Sequence, residues 1–114
     1  MKKFIFNLKN SINGLKVMMR EHSFVAELLG GIILIPYVFL VDFDHIYKLI
    51  ILIVYVLLLV SEIVNTAIEK ICDKITKKYD EDIKVIKDIS SLSVFVILIL
   101  LLTVILTAEF FIVR

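Results

Sequence analysis

A single cysteine, Cys72, rules out an intrachain disulfide. One proline, Pro36, and three glycines leave no collagen-like repeat and no Pro/Gly-rich linker to mark a domain boundary. His22 and His45 are the only histidines. Each lacks a second histidine at ligand spacing, so both read as interfacial residues, and no zinc donor set exists. Cys72, lacking a thiolate partner, reads as a passive lipid- or helix-facing residue. The net charge of +1 gives no general attraction to nucleic acid. Lys2, Lys3 and Lys9 are not followed by a continuous apolar run or a small-residue cleavage site, so the N-terminus does not read as a signal peptide. Gly14, Gly30 and Gly31 never form the G-x-x-x-x-G-K loop that cradles phosphates, and no soluble protein-kinase signature is present.

What the chain has is apolar surface. Hydrophobic residues make up 61% of it, against a usual ~45–50%. Its mean hydropathy is +1.01. A chain of 114 residues forms one domain at most. A soluble fold of that size cannot hide so much apolar surface, which leaves an integral membrane protein.

The hydrophobic pattern divides the chain into one short amphipathic element and three long apolar ones. Over residues about 4–20, Phe4, Ile5, Leu8, Ile12, Leu15 and Met19 share one helical face. Lys9, Asn13, Lys16 and Arg20 lie opposite. That is the pattern of a helix resting in the membrane interface. Three apolar stretches follow over about 24–41, 46–70 and 88–113, with a charged loop at 74–86. Each can cover the ~20 residues needed to cross the hydrocarbon. Pro36 and the Gly30-Gly31 pair are tolerated in spanning helices, where small residues permit close helix contact. The expected fold is all-α: an interfacial helix and three transmembrane helices. Except for Lys48 and Arg114, every lysine and arginine falls before the first span or between 70 and 87. The positive-inside rule therefore predicts a cytoplasmic N-terminus and an external turn at Asp42 and Asp44.

Charged residues inside such segments call for a function, because each costs roughly 2.5–3.5 kcal/mol at mid-membrane on insertion scales. In the sequence EIVNTAIEKICD at 62–73, Glu62, Asn65, Glu69 and Asp73 fall within a helical arc of about 80°. Like charges stacked in this way need a cation, a lysine or a proton between them. Lys87 and Asp88 open the third span at the same boundary, with Ser91 one turn beyond. Glu21 stands at the entrance of the first span. Glu27 lies about 120° round from it, either structural or in touch with substrate. Glu109 reads as ending the last span, and Asp80, Glu81 and Asp82 as a solvated loop. Carboxylates with an amide oxygen suit Mg²⁺, which keeps water or phosphate ligands. A lysine beside them suits phosphate. Three classes fit these residues: an enzyme acting on a lipid headgroup, an ion or proton pathway, and an assembly subunit. The stripe stops near one face, and residues 49–60 carry no charge, which weighs against a conduit within one subunit.

The 62–73 run resembles the E-x-x-N-[ST]-A-[IL]-E-x-x-x-D signature of the prokaryotic diacylglycerol kinase family of small membrane lipid kinases. NGLK at 13–16, EHSFVAE at 21–27, DFD at 42–44 and KDISS at 87–91 are similar to other family motifs. The resemblance implies ATP-dependent phosphorylation of diacylglycerol at the cytoplasmic face of the bacterial inner membrane, by a homotrimer with shared sites. It places Glu62 as general base and Glu21 and Glu69 as ligands of the Mg²⁺ that accompanies ATP. Asn65 and Asp73 would order the site. Lys87 and Asp88 would contact nucleotide, and Tyr79 would lie near the adenine. Ser91, with Glu62 and Asn65, would lie near the lipid. Lys3 falls where the family often has arginine. Asn10 and Val25 depart from a common tyrosine and a common arginine, and KKYDEDIK at 77–84 is more charged than usual. A related branch phosphorylates undecaprenol and typically shows R-x-E-x-N. The sequence Arg20-Glu21-His22-Ser23-Phe24 lacks that asparagine and carries the phenylalanine of the diacylglycerol branch.

Overall fold

The computed structural model describes residues 1–112. Val113, the last residue of the expected third span, and Arg114 lie outside them. Four helices follow in order: α1 (Lys2–Met18), α2 (His22–Leu40), α3 (His45–Ile75) and α4 (Glu81–Ile112). By length and composition, α2, α3 and α4 can each cross a membrane. At 1.5 Å per residue, α3 with its 31 residues and α4 with its 32 each run about 45–50 Å, well beyond a hydrocarbon layer of ~30 Å. Both therefore project past the apolar zone.

The principal packing is α3 against α4, with α2 laid on α3. Val38 of α2, Ile51, Val54, Tyr55 and Leu58 of α3, and Leu101 and Ala108 of α4 form the core. Phe43 joins them from the α2–α3 turn, edge-on to Tyr37 with ring centroids 5.6 Å apart. Gly31 sets the approach of α2 to α3, since a Cβ there would overlap the Tyr55 ring and hydroxyl. The space so left lets Tyr55 Oη donate to the Glu27 carbonyl oxygen at 2.9 Å. Gly30 faces open space and takes no part. Glu109, read from sequence as a span end, accepts a hydrogen bond from the Tyr37 hydroxyl and ties α4 to α2. Most remaining large side chains, among them Ile33, Val56, Phe95 and Leu106, stay exposed, as lipid-facing positions do. Hydroxyls on these faces satisfy themselves: Thr103 and Thr107 each donate to the carbonyl four residues back, at 2.8 Å.

The connection expected over 74–86 is shorter than the sequence suggested. Helix α3 continues to Ile75 and α4 begins at Glu81, which leaves residues 76–80 as the turn. The Thr76 hydroxyl accepts from the Lys78 N–H at 3.1 Å, and the Asp80 carboxylate accepts from the Ile83 N–H at 3.1 Å. Asp80 thus caps α4, and Glu81 and Asp82 in its first turn complement the helix dipole. These acids, read from sequence as a solvated loop, start the helix. Helix α1 is exposed along almost all its length, with Met18 as its one buried residue.

Candidate functional site

Glu62, Asn65 and Glu69 stand at i, i+3 and i+7 of α3 and so share one face. They line an open cleft of about 470 Å³. Helix α2 contributes Ser23, Ala26 and Glu27 to its wall, and α4 contributes Ser91, Val94, Phe95 and Leu98. Glu62 is 7% exposed and Asn65 8%. A carboxyl held buried yet lining a cleft is a general-base candidate on geometry. The Ser90 hydroxyl donates to Asn65 Oδ1 at 2.6 Å, and Asn65 Nδ2 donates to Glu69 Oε1 at 3.0 Å. The amide is engaged at both ends, which fixes the half-buried Glu69 carboxylate at the cleft mouth.

The charged extensions of α3 and α4 are joined by Lys87 Nζ and Asp73 Oδ1, 2.7 Å apart. This lysine answers the charge stacking of the 62–73 stripe at its exposed end. Lys84 pairs with Asp88 along α4, also at 2.7 Å. Tyr79 and Lys87 line a second hollow of about 280 Å³, together with Lys77, Lys78 and Lys84. Four lysines outnumber the one carboxylate of this hollow, Asp80; Lys84 and Lys87 are held by Asp88 and Asp73, so its surplus positive charge comes from Lys77 and Lys78.

Not every residue singled out from sequence comes to the cleft. Glu21 lies beside Lys70, Oε1 to Nζ 3.6 Å, on the side of α3 that faces α1. Lys70 stands about 100° round the helix from Glu69, which accounts for the separation. Lys3 lines neither hollow, and Asp88 is held by Lys84 instead of pointing into the cleft. Conversely, Glu27 and Ser90 enter the site. Ser90 could be found only by knowing how α4 is rotated against α3. Glu27 carried a signal, an unpaired acid in an apolar span, but no indication of what it faces. A larger hollow, about 510 Å³, lies between α1 and α3 and is lined by Leu15, Val17, Met18, Ile63 and Ala67 among others. It contains no carboxylate and offers no chemistry of its own.

Among the described residues no group of three or more His, Cys, Asp or Glu side chains forms a ready-made metal cage. Mg²⁺ does not require one, since it commonly takes one or two carboxylates and completes its shell with water and phosphate oxygens. Glu69, with one oxygen oriented by Asn65 and a place at the mouth of the cleft, fits that use.

The arrangement is therefore a buried carboxyl, an oriented carboxylate and a neighbouring lysine-lined hollow, at one end of a bundle of helices long and apolar enough to span a membrane. Comparison with curated proteins gives no match. Comparison with protein-family models gives one, the prokaryotic diacylglycerol kinase, over residues 9–108. That match takes in all the cleft residues and the cationic hollow, and the chain belongs to the prokaryotic diacylglycerol kinase family.

Proposed function

We propose that this protein transfers the γ-phosphate of ATP to the primary hydroxyl of diacylglycerol, forming phosphatidic acid at the cytoplasmic face of the inner membrane. The observation that carries this reading is the cleft itself. Buried Glu62 lies in a polar pocket whose α4 wall, Val94, Phe95 and Leu98, continues into the apolar zone. A lipid alcohol can therefore present its hydroxyl to Glu62 while its acyl chains stay in the bilayer.

Glu62 accepts the hydroxyl proton as the oxygen attacks the γ-phosphorus, and ADP leaves with the electron pair of the broken P–O bond. Asn65 and Ser91 hold the lipid headgroup in reach. Lys87, with Asp73 as its anchor and Tyr79 beside it, receives the nucleotide, and Asp88 and Lys3 add contacts from its edge. Bound with ATP, magnesium neutralises triphosphate charge. Glu69 would hold that ion, and Glu21, whose exposed pair with Lys70 costs little to break, would be the second carboxylate offered to it. Helix α1 lies in the interface on its apolar face, with its lysines toward headgroups. Three copies pack so that the open cleft of one is covered by another, which removes the exposed carboxylates from lipid contact.

Sealed vesicles with labelled ATP outside, offered diacylglycerol and undecaprenol side by side, test the reading. Inside-out vesicles should label phosphatidic acid, and right-side-out vesicles should label nothing. Labelling of undecaprenol instead would move the protein to the related branch. Ion flux without ATP and no labelled lipid would make it a conduit, contrary to this proposal.

A further inference from the structure

The bonds that orient Glu69 also restrict how it can meet an ion. An ionised carboxylate only accepts hydrogen bonds. Asn65 must therefore turn its amide nitrogen to Glu69, and Nδ2 donates to Oε1 at 3.0 Å. The Asn65 oxygen is then left for α4, where the Ser90 hydroxyl donates to it at 2.6 Å. Ser90 and Asn65 are both buried, whereas Glu69 is half-buried and lines the cleft. Among the described residues no other hydrogen bond or ion pair reaches the Glu69 carboxylate, and the neighbouring lysines Lys70 and Lys87 are paired with Glu21 and Asp73. One oxygen of Glu69 is tied to the helix, and the other has no partner. No second hydroxyl of α4 can stand in for Ser90. Ser91 lies about 100° round the helix, and the Ser93 hydroxyl donates to the Ser90 carbonyl oxygen at 2.7 Å.

A carboxylate that chelates an ion turns both oxygens to it. Ca²⁺ takes that arrangement readily, in a flexible shell of about 6–8 oxygens, whereas Mg²⁺ demands near-octahedral geometry and keeps several waters. With Oε1 held on Asn65, Glu69 offers a single oxygen, which suits Mg²⁺ and grips Ca²⁺ poorly. We infer that Ser90 is a positioning residue that sets the ion preference of the cleft: acting through Asn65, it confines Glu69 to one-oxygen binding and so favours Mg²⁺ over Ca²⁺. The inference rests on Glu69 holding the ion that accompanies ATP. Without the Ser90 donor the Asn65 amide can turn over, Glu69 is released, and both of its oxygens can face one ion. Partners that orient a ligating carboxylate in this way commonly govern metal affinity as strongly as the ligand's own placement does.

The test reads metal binding directly. Mn²⁺ is bound to the assembled protein together with a non-hydrolysable ATP analogue, and its spin-resonance signal is followed as Mg²⁺ or Ca²⁺ displaces it. The quantity read is the ratio of Ca²⁺ to Mg²⁺ concentrations that displace half the Mn²⁺. The nucleotide is the same in every sample, so differences in that ratio belong to the protein. Ser90→Ala should lower the ratio by about 10–100-fold, the usual effect of removing such a partner on metal affinity. Ser90→Cys, with a weak thiol donor in nearly the same volume, should fall between Ser90→Ala and wild type. Gly31→Ala, which loosens the packing against Tyr55 without touching either hydrogen bond, should keep the wild-type ratio. Phosphate transfer in Mg²⁺ should become more sensitive to added Ca²⁺ in the same order of variants. A wild-type ratio in Ser90→Ala, or an equally lowered one in Gly31→Ala, overturns the inference. If Ser90→Ala does not assemble, the Ser90→Cys ratio decides in the same way. If Glu69→Gln binds both ions as wild type does, the metal role of Glu69 falls together with the inference. Loss of the ion in Glu69→Gln beside an unchanged ratio in Ser90→Ala overturns the role of Ser90 alone.

Discussion

The Ser90 hydroxyl is spent on Asn65, and the Asn65 amide on Glu69, so two residues on two helices orient one carboxylate. Ser91, the next residue, faces the cleft exposed. Ser90→Ala leaves the buried Asn65 oxygen without its donor, a loss of about 1–3 kcal/mol. Thermal unfolding in detergent should register that loss together with a lower kcat, whereas Ser91→Ala should leave the melting temperature unchanged. Equal melting temperatures for the two variants would show that the Asn65 relay does not hold the site. The polar stripe was legible at this scale because helical spacing alone aligns Glu62, Asn65 and Glu69. Ser90 was not, since residues 90 and 91 differ by about 100° of rotation and only the packing of α4 on α3 chooses between them. The surroundings of Glu21 were illegible for the same reason: its motif is local, but its partner, Lys70, is set by where the α1–α2 turn meets α3.

Helices α2 and α3 owe their close approach to one glycine of an adjacent pair. A Cβ at Gly31 would strike Tyr55, and α2 would have to move away from the ring that holds Glu27. Gly31→Ala should therefore cost about 1–3 kcal/mol in thermal stability, the usual range for overpacking. Gly30→Ala, pointing into open space, should cost nothing measurable. If both variants melt with the wild type, Gly31 is not what sets the helix spacing. The existence of three spans followed from hydropathy, and a close contact at the glycine pair was foreseeable. Which glycine made it depended on the rotation of α2. The ends of α3 and α4 were harder to place, because beyond the apolar zone nothing in hydropathy distinguishes a charged helix from a charged loop. Local side-chain bonds settled that, through the Asp80 cap and the Lys84–Asp88 pair.

As a whole the molecule is a bundle whose buried polar residues gather at one end. Its buried polar residues, Ser61, Glu62, Asn65, Thr66 and Ser90, all lie on the halves of α3 and α4 that adjoin the turn at residues 76–80. None of the described buried polar residues continues that line into the other half, so the arrangement serves a reaction at one face better than passage through the membrane. The account turns on Glu62 acting as base for a lipid hydroxyl, and one measurement reaches it directly: the rate of phosphate transfer from labelled ATP to diacylglycerol by Glu62→Gln, with ATP binding checked in the same preparation. A general base contributes ~10²–10⁴-fold, so the rate should fall by at least that much while ATP still binds. A Glu62→Gln protein that phosphorylates diacylglycerol at the wild-type rate would contradict the account.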